Sequence, residues 1–164
     1  MPGLIQKSGY IKPGNGGGHY AEYIATREGV ELIEAPHHAH DGGGYLEYMA
    51  QRPRSHGLFS AGGSADLEKT MEEINGHTGP VWTFVYSLKR EDAHRLGYEN
   101  SKSWRRLLLA HQAELATAMK IPPSSFRWCA AFHDEKHHPH IHMMVWSADP
   151  KQGFLTEKGI ETVS

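Results

Sequence analysis

Residues 133–142 read HDEKHHPHIH, and imidazoles at this density and spacing are a divalent-metal pattern. On a strand, alternate side chains share a face, so His140 and His142 point the same way, roughly 7 Å apart along the backbone. A third imidazole, from His133 at the end of the preceding strand, completes a set of three. His138 is the alternative third ligand, and Pro139 stiffens the entry to the second strand. Three protein nitrogens leave coordination positions open for water or substrate, as in a working site rather than a closed structural one. A set without cysteine suits Mn²⁺, Zn²⁺ or Ni²⁺, or Mg²⁺ with carboxylate help. Asp134, Glu135 and Glu91 are candidates to orient a ligand ring through its other nitrogen.

These residues need a scaffold, and the pattern supplies one. Residues 3–13 read as an edge-type strand ended by Pro13, and residues 14–18 as a glycine turn. A short helix is expected over 19–28 with Gly29 as its stop. Its segment YAEYIATR (residues 20–27) is echoed by YLEYMAQR (residues 45–52), a second helix ended by Pro53. Each copy puts tyrosine and arginine on one helical face. The histidines of the intervening loop, His37, His38 and His40, read as solvated. A helix over 64–75 capped by Ser64, a strand over 81–88 and a helical turn over 91–96 ending at Gly97 follow. The longest helix is expected over 102–120, with Ser101 as cap and Pro122 and Pro123 as stop. Strands over 126–132 and 141–146 flank the histidine run. This order argues an α+β fold, an antiparallel sheet packed on helices.

The 164 residues suit one domain, and 38% hydrophobic with 22% charged residues is ordinary for a globular chain. Neither a membrane-spanning run nor a signal-peptide layout is present, which with a single cysteine gives a cytoplasmic expectation. Cys129 reads as a buried strand position, and no internal disulfide is possible. A net charge of −2 is not the global footprint of a nucleic-acid binder. Local placement of the 17 lysines and arginines can still make such a surface, and a bound metal adds charge.

The histidine pair around one hydrophobic residue, the upstream histidine and a separate tyrosine resemble the HUH endonucleases. The segments EYIATREGVE (22–31), RPRSHGLFS (52–60), SLKREDAHRLGY (87–98), AAFHDEKHHPHIH (130–142) and GFLTEKGI (153–160) are, more specifically, similar to the MobP/MobL-type conjugative relaxases. The resemblance covers nearly the whole chain. It implies a ferredoxin-like palm, a relaxase domain over 1–164 and continuation into a longer protein. The implied reaction nicks one DNA strand at an origin of transfer. A tyrosine attacks the scissile phosphate, keeps the 5′ end and leaves a free 3′ hydroxyl, while a divalent metal polarises the phosphate oxygens. The implied partners are single-stranded DNA, a hairpin at the origin, and accessory mobilisation and coupling proteins.

Tyr23, inside the matched segment, is the first choice of nucleophile, with Tyr48 and Tyr20 as alternatives. Arg27, one turn on, is placed to neutralise the phosphate or lower the phenol's pKa, or simply to pair with Glu31. Glu91 and Glu135 are carried as assisting carboxylates. DNA contacts are expected from Arg52, Arg54, Lys89, Arg90, Arg105, Arg106 and Lys136. A rolling-circle initiator or single-strand transposase shares this chemistry. A non-catalytic histidine-rich metal module and a phosphoesterase using activated water are the readings from other classes.

Overall fold

The computed structural model describes residues 4–12, 16–32, 57–134 and 138–155. The elements follow as β1 (Ile5–Ile11), α1 (Gly17–Thr26), β2 (Phe59–Ser60), β3 (Gly63–Ser64), α2 (Leu67–Asn75), β4 (Val81–Ser87), α3 (Arg90–Leu96), α4 (Ser101–Ala118), β5 (Phe126–His133) and β6 (His140–Ser147). The strands form one sheet in the order β1-β4-β6-β5-β2-β3, with every pairing antiparallel. The α+β expectation therefore holds, and β1 is an edge strand. Among the described residues, no helix is long and apolar enough to cross a membrane.

Period-two alternation sends the central strands' side chains into two cores. On one face Phe84, Phe132, Ile141, Met143 and Val145 pack with Trp104, Leu108 and Met119 of α4 and its C-cap. On the other, Cys129, Ala131, Met144 and Trp146 pack with Ala21, Ile24 and Ala25 of α1 and Ile74 of α2. A one-residue slip of β6 would exchange Ile141 and Met143 for histidines against α4. Each large side chain exposed by such a slip costs about 1.5–3 kcal/mol. The apolar alternation thus fixes the face on which the histidines stand. Burial also pushes the Cys129 thiol up to about 12, in keeping with a packed strand residue and not a reactive one.

Several local expectations are corrected. Gly17 and Gly18 belong to α1 and not to a turn, because α1 crosses α2 there at close range. A Cβ at Gly17 would come within 2.5 Å of Ile74, and the Gly18 N–H donates to Asn75 Oδ1 at 3.0 Å. Helix α2 begins after Asp66, whose carboxylate accepts the Lys69 N–H, because Ser64 is held in the β2–β3 hairpin. Helix α4 begins one residue early, capped by Asn100 through the Ser103 N–H. Ser101 instead donates its backbone N–H to Glu31. The two-residue strands β2 and β3 were not anticipated. The second YxEY segment with Tyr48, Arg52 and Arg54, the loop with His37, His38 and His40, and Glu135, Lys136 and His137 lie outside the described residues.

Candidate metal centre

The β5–β6 register sets the site. His133 lies directly opposite His140, and His142 lies opposite Ala131, so all three imidazoles share the α1 face. Ring centroids stand 5.1 Å (His133–His140), 4.3 Å (His133–His142) and 4.9 Å (His140–His142) apart. One nitrogen from each ring lies within 4.8 Å of the others, a spacing that a single ion can bridge. The sequence-derived triad is therefore brought together.

Each ring is also held from behind. Helix α1 ends with unsatisfied carbonyls, and one of them, Ile24 O, accepts from His133 Nε2 at 2.8 Å. The negative end of the helix dipole favours that donor. After α1 the chain turns at Gly29, whose φ of 90° suits glycine, and Val30 bridges to His133. The Glu31 N–H donates to Phe132 O, and the Asp134 N–H donates to Gly29 O, both at 2.8 Å. His140 Nδ1 lies 3.0 Å from His138 O, so His138 contributes its carbonyl to the ring of a candidate ligand. The Leu88 N–H donates to Pro139 O, which anchors the entry to β6. His142 Nδ1 lies 3.3 Å from the Tyr20 hydroxyl, and its buried Nε2 has no hydrogen-bond partner among the described residues.

These contacts allot the protons. His133 donates through Nε2 and His140 through Nδ1, because both face carbonyls, so His133 Nδ1 and His140 Nε2 carry lone pairs. With His142 Nε2 they form an all-imidazole donor set suited to a borderline divalent ion. The residues therefore fit the metal that the sequence implied.

Burial, then the His133 and His140 rings and Arg27, lower the His142 pKa to about 3. The ring is thus neutral at physiological pH, as a ligand must be. Its folded pKa lies below the unfolded value of about 6.5, so the stability it contributes is full above that value. That stability is lost as pH falls from about 6.5 towards 3. Thermal melts of the metal-free protein should accordingly shift to lower Tm across this window. A Tm flat from pH 7 to pH 4 would contradict the assignment.

Helix α1 brings the tyrosines alongside. Tyr20 is half-buried, and burial followed by the neighbouring Tyr23 raises its pKa, while Arg27 lowers it. Tyr23, three residues on, is 52% exposed, and the Arg27 guanidinium carbon lies 5.3 Å from its ring centroid. The positive charge of Arg27 also lowers the pKa of both Tyr20 and His142. Glu31, the alternative partner of Arg27, accepts from Ser101.

The other expected residues are spread more widely. Lys89 is exposed immediately after Leu88 and beside the β6 entry. Arg90 bridges Asp134 at 2.6 Å and Glu99 at 3.0 Å, tying α3 to the end of β5. Glu91 is exposed in the first turn of α3 and is not part of the histidine group. Arg105 donates to the carbonyls of Ser60 and Ala61 and so pins the β2–β3 hairpin. Arg106 lines a small cleft with Tyr98 and Leu107. Both project from α4, which covers the sheet face opposite the histidines. The sequence reading gave Tyr20 only as an alternative nucleophile and missed its contact with His142.

The MobL relaxase family model matches residues 1–164. No curated protein and no solved structure matches the chain.

Proposed function

The chain belongs to the MobL relaxases, and from that membership we propose that it nicks and rejoins one DNA strand at an origin of transfer through a phosphotyrosyl bond at Tyr23. The antiparallel sheet covered by helices is consistent with the HUH relaxase fold. The observation that carries the proposal is the triad of imidazoles on one sheet face, with the exposed Tyr23 and its Arg27 on the helix that packs beside it.

The Tyr23 oxygen forms a bond to the scissile phosphorus as the bond to the 3′ oxygen breaks. The phenol gives up its proton, and the departing 3′ oxygen takes one up. Because one phosphoester replaces another, the same steps in reverse rejoin the strand. Arg27 offsets negative charge on the phenolate and on the phosphate. A divalent metal, when held by His133, His140 and His142, would draw charge from the non-bridging oxygens. Lys89 is assigned a contact to the incoming backbone. Arg90 is assigned the task of holding the end of β5 in place rather than reading DNA.

The test uses the full chain, Mn²⁺ and single-stranded oligonucleotides from the native element's transfer origin. A covalent adduct on the 5′ fragment, lost on chelation and restored by Mn²⁺, is expected. Free 5′-phosphate without adduct would replace the tyrosine with activated water. No product despite bound metal would leave a binding module.

A further inference from the structure

Two of the three imidazoles are secured by backbone carbonyls, but His142 is secured by a side chain. Its Nδ1 meets the Tyr20 hydroxyl at 3.3 Å, across 122 residues of sequence. The two rings meet edge-on, with centroids 6.4 Å apart and planes at 71°. Tyr20 rides on a helix fixed by the fully buried Ala21, Ile24 and Ala25. Its hydroxyl therefore reaches the imidazole on the side away from Nε2, the nitrogen left for an ion.

We propose that Tyr20 is a positioning residue, which holds the His142 ring with its proton on Nδ1 and its lone pair on Nε2 facing His133 and His140. This rests on the metal-site reading above. With an ion on Nε2 the proton lies on Nδ1, so the Nδ1–H donates, the phenol oxygen accepts, and the contact holds one ring orientation. It also separates the two tyrosines of α1: Tyr20 acts through His142, and Tyr23 remains exposed for substrate.

Tyr20→Phe keeps the ring and removes the hydroxyl. Calorimetric titration with Co²⁺, with no DNA present, should show affinity weakened by about 10–100-fold. The visible spectrum of bound Co²⁺ should change, because the field at one ligand nitrogen has changed. Adduct formation should persist at saturating Mn²⁺. Wild-type affinity together with a wild-type Co²⁺ spectrum would overturn the proposal and leave Tyr20 a packing residue. Loss of adduct with unchanged Co²⁺ affinity would overturn it in favour of Tyr20 as nucleophile. The Co²⁺ readout needs no nicking, so its failure is distinguishable from failure of the relaxase reaction.

Discussion

Tyr23→Phe should abolish the covalent protein–DNA adduct while leaving fold and metal binding intact. The ring stays about half exposed, so removing one oxygen costs little stability, and Arg27 keeps an aromatic face to rest on. Chemistry fails because no other group on α1 combines exposure with a phenol. Loss of a covalent nucleophile reduces turnover by roughly 10⁴-fold or more. The measurement is a gel-resolved adduct formed with Mn²⁺ and origin DNA, with Co²⁺ titration as the control. An adduct at wild-type yield would remove Tyr23 from the mechanism.

His142→Ala should have the second-largest effect, this time on the metal. The substitution removes one of three nitrogens and opens space between His133 and Tyr20. Loss of one ligand from a three-imidazole site should weaken Co²⁺ or Mn²⁺ affinity by roughly 10²-fold or more. Nicking should fall with it and recover partly at high metal concentration. The metal-free variant should, in addition, lose much of the acid-side drop in Tm, because the group that resists protonation is gone. Undiminished metal affinity in a folded His142→Ala protein would move the site elsewhere.

The local part of this architecture was legible. Period two alone put His140 and His142 on one face and Ile141, Met143 and Val145 on the other, and the structure keeps that division. The apolar run of β5 likewise led to His133 at its end. What escaped were contacts between distant segments. Nothing local to YAEYIATR says that the Tyr20 hydroxyl meets His142 or that the Ile24 carbonyl receives His133, because both depend on where α1 crosses the sheet. Arg105 was expected at DNA, and an isolated arginine carries no sign of the Ser60 and Ala61 carbonyls that it also holds. The caps were misplaced where two good cap residues lie close together, Ser64 with Asp66 and Asn100 with Ser101. Hairpin pairing and the Glu31 contact decided between them.

The most direct measurement of the account is the position of the DNA on the protein. Wild-type chain with Mn²⁺ and origin oligonucleotide is digested, and the adduct peptide is fragmented in a mass spectrometer. The account predicts a nucleotide phosphate on Tyr23, absent when metal is chelated. A phosphate on Tyr20 or Tyr48, or cleaved DNA with no modified tyrosine, would contradict it.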